Sequence, residues 1–239
     1  MAIISNTVNY LDGETLLEAF FAYDDSFAGR RPAVLISHAW RGRDQFVDDK
    51  AQELAKLGYV AFALDMYGQG ILGQSTAENA ALMQPFMDDR QALQQRINAA
   101  LYAIKRLPWT DDSKIAAIGF CFGGLCVLDL ARMGANIKGV VSFHGLLMPP
   151  PQTNSTNIQA KVLALHGHDD PMVTQEQVQA FMQEMTQLKA DWQLHHYGHT
   201  MHAFTNPEAN DPEFGTVYNA MAEQRAWQSM QNFLSEIFA

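Results

Sequence analysis

A chain of 239 residues with 48% hydrophobic and 18% charged side chains has the composition of a globular protein, sized for a single large domain with a substantial core. Its 26 acidic against 16 basic residues leave a net charge of -10, which repels acidic membranes and excludes binding along a nucleic-acid backbone. The start MAIISNTVNYLDGE lacks the basic and apolar blocks of a leader, no apolar run is long enough to span a bilayer, and two cysteines give no disulfide framework, so the expectation is a cytoplasmic protein with no membrane partner.

Residues 3 to 23 alternate apolar and polar side chains around Asp12-Gly13, the signature of an antiparallel hairpin at a sheet edge. Ala33 to Ser37 is apolar on both faces, as a buried parallel strand requires, and a loop from His38 to Asp44 follows it. A helix is predicted from about Phe46 to Leu57, ended by Gly58, then a second buried strand over Tyr59 to Leu64 and a turn-rich loop, Asp65 to Gly70. The stretch 71 to 86 has no readable periodicity, and its use as a lid is left open. The spacing of Leu93, Ile97, Leu101 and Ile104 predicts a helix over Asp88 to Leu107, stopped by Pro108. Next come an apolar strand beginning near Ile115, a helical pattern from Leu125 to Met133 and a strand over Gly139 to Phe143. The Pro149 to Pro151 loop and a strand Lys161 to His166 follow, then a helix of about Thr174 to Lys189, a strand Trp192 to Tyr197 and a last helix over Thr216 to Phe238. Buried strands alternating with helices predict an α/β fold in one domain over 1–239, with antiparallel N-terminal strands and a mostly parallel sheet covered on both faces. Ligands of such sheets bind at the carboxyl ends of the strands.

One strand end stands out. In Ile115 to Gly124, IAAIGFCFGG, a cysteine sits two residues from Gly119 and two from Gly123, where a strand turns sharply into a helix. Only small residues fit a turn this tight, and the spacing is that of the nucleophile elbow G-x-S-x-G with cysteine in the serine place. Cys126 lies five residues on, about 140° around the helix, poorly placed to bridge to Cys121. A cysteine nucleophile needs a base and a group to orient that base. Downstream, His168-Asp169-Asp170-Pro171 follows one predicted strand and Tyr197 to Phe204, with His199 and His202, follows the last. Asp170 is the chosen acid because Pro171 defines its backbone, with Asp169 as rival, and His202 is the chosen base. The oxyanion donors expected are the backbone N–H groups of Phe122, first in the elbow helix, and of Trp40, in His38 to Gly42. One such donor contributes roughly 2.7–4 kcal/mol to the barrier. Arg41, Tyr67 and His144 also fall at strand ends and are candidates to line the substrate pocket. The crowded His195, His196, His199 and His202 lack a zinc spacing, so no metal and no cofactor is expected.

The segments GFCFGG, HGHDDPMV and MHAFTNP, in this order, resemble the dienelactone hydrolases, a cysteine branch of the α/β-hydrolase superfamily. The resemblance covers nearly the whole chain and implies an α/β-hydrolase fold with a sheet of about eight strands. It also implies a triad of Cys121, Asp170 and His202 that forms an acyl-thioester from a small ester or lactone and releases it to water. Thiolate is a good leaving group, so attack on an ester goes forward where attack on an amide reverts. Two departures bear on substrate. The glutamate that holds the resting thiol in dienelactone-cleaving members is replaced here by Ala39, and an arginine placed four residues after their triad histidine is replaced by Asn206. Arg41 and Arg43 are the cations that could meet a substrate carboxylate instead. The resting Cys121 is then expected to pair directly with His202. The competing expectations are a binding or redox-sensing protein whose Cys121 reacts without turnover, and a metal hydrolase built on the histidines. A monomer or weak homodimer is expected.

Overall fold

The computed structural model describes residues 2–151 and 158–239. Eight strands join in one sheet in the order β1-β2-β4-β3-β5-β6-β7-β8, and the small pair β9-β10 stands apart. Contacts divide the chain into two compact units, residues 1–118 and 119–239.

The first unit opens with the expected hairpin. β1 (Ile3–Asp12) pairs antiparallel with β2 (Thr15–Asp24), closing with Asp12 opposite Thr15. Gly13 takes the left-handed φ of 57° that the turn needs. β3 (Arg31–Ser37) and β4 (Val60–Ala63) run parallel, and all of β4 is buried, which accounts for their unbroken apolar sequences. β2 joins β4 antiparallel, so the sheet is mixed. α1 (Gln45–Lys56) lies between β3 and β4, and α3 (Arg90–Lys105) buries Leu93, Ile97, Leu101 and Ile104, the stripe read from the sequence. Between them is α2 (Thr76–Asp88), in the stretch whose periodicity was unreadable; none of its residues is buried. It is started by the Ser75 side chain accepting from the Glu78 N–H rather than by an apolar face.

β5 (Thr110–Phe120) carries the chain from the first unit into the second. There α4 (Phe122–Arg132) is buried over its whole length and packs on β6 (Gly139–Phe143). β6, β7 (Lys161–Gly167) and β8 (Trp192–Tyr197) pair parallel in sequence order. α5 (Gln175–Gln187) starts in a capping box between Thr174 and Gln177. The last helix, α6 (Ala220–Phe238), begins four residues later than the sequence suggested. Thr216-Val217 instead forms β10, paired with β9 (Asn210–Asp211), and Asn219 caps the helix. Among the described residues no helix is long and apolar enough to cross a membrane.

Candidate active site

At the end of β5 the chain turns through Cys121, whose φ of 54° and ψ of -115° lie in a region that L-residues avoid. Holding a non-glycine residue there costs of order 1–3 kcal/mol. The surroundings over-determine it. The Cys121 N–H donates to the Phe143 carbonyl at 3.0 Å, and its own carbonyl accepts from the Gly124 N–H at 2.9 Å. A Cβ on Gly119 would run into the Gly123 carbonyl, and one on Gly124 would stand 2.6 Å from Ser142 Oγ and 2.7 Å from Gly145 Cα. The glycines therefore serve the close approach of helix to strand, as their spacing suggested. Cys121 is half-buried at the apex, Cys126 is fully buried within α4, and Phe122 opens the helix, where N–H groups lack helical partners.

Asp170 and His202, 32 positions apart, meet at 2.7 Å between Oδ2 and Nδ1, and both side chains are sealed from solvent. The other carboxylate oxygen, Oδ1, accepts from the Met172 N–H at 2.8 Å, so the acid is held on both sides. The rival Asp169 is exposed and stands 3.9 Å from an exposed His199. A second loop fixes the imidazole's residue: the His202 N–H donates to the Gly215 carbonyl and its carbonyl accepts from the Val217 N–H, both at 3.0 Å. Gly215, at a φ of 85°, leaves no room for a Cβ because the Pro171 ring occupies that space. The loop of Asp170 and the loop after His202 thus meet closely at this glycine, and the Asp169 N–H also donates to the Thr200 carbonyl at 3.0 Å.

With Nδ1 turned to the carboxylate, Nε2 is left for Cys121. Burial opposes charge on this imidazole, but the negative charge of Cys121, the hydrogen bond to Asp170 and the one to Cys121 outweigh it and hold the pKa up at about 10. Nε2 is nonetheless buried without a hydrogen bond of ordinary length and angle, so thiol and imidazole interact without a well-formed bond between them.

Two further buried imidazoles stand around this pair. His144, with a φ of 38°, follows β6; its Nε2 is 2.8 Å from Thr205 Oγ1, and its ring meets that of His202 edge-on at 5.1 Å. Burial and the neighbouring His202 charge keep it well below the ordinary histidine pKa. His166, which sequence reading took only as a strand end, is buried with neither ring nitrogen bonded. Burial pushes its pKa down to about 4, against the pull of the Asp170 carboxylate. No pattern flags it, because a histidine closing an apolar strand looks the same whether it packs or reacts. Among the described residues no three His, Cys, Asp or Glu side chains converge as a metal would need.

In the first unit, the loop after β3 places Trp40 and Arg41 beside the loop after β4. The Tyr67 hydroxyl donates to the Trp40 carbonyl at 2.8 Å, so it serves the loop's own structure. Arg41 is exposed, its Nε 3.4 Å from the Gly73 carbonyl. Arg43 is committed elsewhere, gripping Glu18 and Asp48 at 2.7 Å each.

The mixed sheet and the strained strand-to-helix turn define an α/β-hydrolase fold. The dienelactone hydrolase family profile matches residues 17–238. The chain belongs to that family. Among solved structures, a dienelactone hydrolase-like promiscuous phosphotriesterase, P91, from metagenomic libraries is 39% identical, with a TM-score of 0.96 and the whole of each chain covered. An uncharacterized protein of Caenorhabditis elegans is 40% identical over 64% of this chain and 98% of its own. A Bradyrhizobium protein bearing the name "probable 2-oxo-3-(5-oxofuran-2-ylidene)propanoate lactonase" is 28% identical over 98% of this chain and 96% of its own.

Proposed function

We propose that this protein hydrolyses small carboxylic esters or lactones through Cys121, with His202 as base and acid and Asp170 orienting it. The observation that carries the reading is the row Asp170, His202, Cys121, in which the buried imidazole is hydrogen-bonded to Asp170 at Nδ1 and interacts with the half-buried thiol. At rest Cys121 pairs directly with His202, the role of the family's glutamate being vacated at Ala39. With its proton on His202, the sulfur attacks the carbonyl carbon, and the developing oxyanion is met by the Phe122 N–H group. As the carbon–oxygen bond of the leaving alkoxide or enolate breaks, His202 Nε2 gives that oxygen its proton. His202 then takes a proton from water, the hydroxide adds to the thioester, and the carbon–sulfur bond breaks to free the acid and restore the thiolate.

His144 walls the substrate's side of the site in this reading. The likeness to the phosphotriesterase from metagenomic libraries adds activated phosphotriesters as a second substrate class, since the donors that meet a tetrahedral carbon centre also suit phosphorus. The test is Cys121→Ala assayed beside the wild type on a panel of lactones, p-nitrophenyl esters and a p-nitrophenyl phosphotriester. Turnover abolished with an unchanged circular dichroism spectrum is the expected result. Steady turnover in the variant overturns the assignment, and a one-equivalent burst without turnover in the wild type converts it to a protein that is modified but does not catalyse.

A further inference from the structure

β1 ends the sheet, and among the described residues no strand lies beyond it. Three contacts show which of its backbone groups face outward. The Glu18 N–H turns away from β1 to donate to Asp65 Oδ2 at 3.1 Å, and the Leu16 carbonyl turns away to accept from the Gln69 N–H at 3.1 Å. Glu18 lies opposite Asn9 and Leu16 opposite Leu11, and in an antiparallel ladder such pairs exchange no bonds, so Asn9 and Leu11 point their own N–H and C=O out of the sheet. The alternation extends this to Ile3, Ser5 and Thr7. In agreement, the Thr7 N–H donates to the side chain of its neighbour, Asn6 Oδ1, at 2.8 Å rather than to β2.

An edge of this kind invites another strand unless a charge, a proline or a bulge blunts it. β1 carries none of these. From Ile3 to Leu11 no residue is charged and none is proline, and the pairing with β2 runs unbroken from Ile3 to Asp12. Ser5, Thr7, Asn9 and Leu11, whose backbone groups face outward, are exposed. A net charge of -10 pushes copies of this chain apart, so an uncharged strand is where two of them approach at least cost.

The strand also complements itself. With Thr7 of one copy laid antiparallel against Thr7 of the other, Ile3 meets Leu11 and Ser5 meets Asn9, while on the other face Ile4 meets Tyr10. Apolar then falls on apolar and polar on polar, with Asn6 beside Val8 the exception. In this register the whole of Ile3 to Leu11 overlaps, and each outward-facing residue meets another with which it exchanges both N–H···O bonds. A slip of one residue would set outward groups against inward ones. We propose that this protein is a homodimer in which the two β1 strands pair antiparallel about Thr7, joining the two sheets edge to edge around a twofold axis. Asn6 holds the Thr7 N–H in the single chain and yields it to the Thr7 carbonyl of the second copy.

Thr7→Pro deletes an N–H that β2 does not use, so the hairpin survives while pairing between copies is lost. In sedimentation equilibrium at micromolar concentration the wild type is expected at twice the chain mass and Thr7→Pro at the chain mass, with the circular dichroism spectrum unchanged. If the proline variant does not fold, paired charges on the exposed positions decide. Ser5→Lys with Asn9→Lys sets lysine opposite lysine and should give the monomer, whereas Ser5→Lys with Asn9→Glu sets lysine opposite glutamate and should restore the dimer. A wild type that is monomeric overturns the proposal, as does a dimer that survives Thr7→Pro or the double lysine variant. A lysine and glutamate variant no more dimeric than the double lysine one overturns it as well. None of these readouts involves turnover, so they stand apart from the test of Cys121.

Discussion

Replacing Asp170 by Asn probes the acid–base pair with almost no change of shape. The side chain can sit in two ways. With its oxygen kept on the Met172 N–H, its NH₂ faces His202 Nδ1 and donates to it, so the imidazole proton moves to Nε2, where it cannot receive the thiol proton. Flipped, the oxygen accepts from Nδ1–H and preserves the working tautomer, but the NH₂ then meets the Met172 N–H, donor against donor in a sealed site. Leaving that buried N–H without an acceptor costs about 1–3 kcal/mol, so the first arrangement prevails. The same exchange in a serine triad lowers kcat by about 10⁴, equivalent to about 5 kcal/mol of barrier, and a loss of this order is expected here. Stopped-flow hydrolysis of p-nitrophenyl acetate separates acylation, seen as the burst, from deacylation; both should slow, since His202 moves a proton in each. A loss below about tenfold in both phases would refute the reasoning, because it would mean that the tautomer of His202 does not limit the chemistry.

The raised pKa of His202 also links to stability. Its folded value of about 10 exceeds an unfolded value near 6.5, so the stabilisation is complete below about pH 6.5 and is lost as pH rises through about 10. Thermal melts of the wild type should therefore fall over this window, by up to about 1.4 kcal/mol per pH unit, while Cys121→Ala, lacking the charge that supports the imidazolium, shows a flatter profile; parallel profiles would count against the ion pair. Far from this chemistry, Arg132 is buried and bonded to Glu184 at 2.7 Å, Asp129 at 3.3 Å and the Leu147 carbonyl at 2.8 Å. Arg132→Ala leaves the Asp129 carboxylate buried without this cation, with an expected loss of about 3–5 kcal/mol, or roughly 6–20 °C in Tm. A loss under about 1 kcal/mol would show that water enters and solvates the site.

What could be read from the sequence depended on whether the determining contacts are local. The turn at Cys121 was legible because Gly119, Gly123 and Gly124 are forced by crowding within the same ten residues. Of the adjacent pair, Asp170 is the one that lies against His202, a contact made across 32 positions that no local pattern reveals. By contrast, α2 left no trace, having no buried residue to impose a stripe and a proline at position 85. The start of α6 was misplaced because Thr216 and Val217 answer to residues 210, 211 and 202, partners that no local pattern reveals. His38 and His166 were equally opaque, since burial and ring partners are tertiary facts.

The way His202 is anchored has a consequence for the order in which the site comes into being. Both backbone groups of this residue bond to Gly215 and Val217, so its position is dictated by chain that follows it rather than by β8 before it. A ribosome making this protein completes the cysteine turn and the acid loop long before it delivers that anchor. Until residue 217 has been made, the nascent chain holds the Cys121 thiol without the anchor that fixes His202. In the proposed chemistry, the order of synthesis withholds hydrolysis until most of the chain has been made.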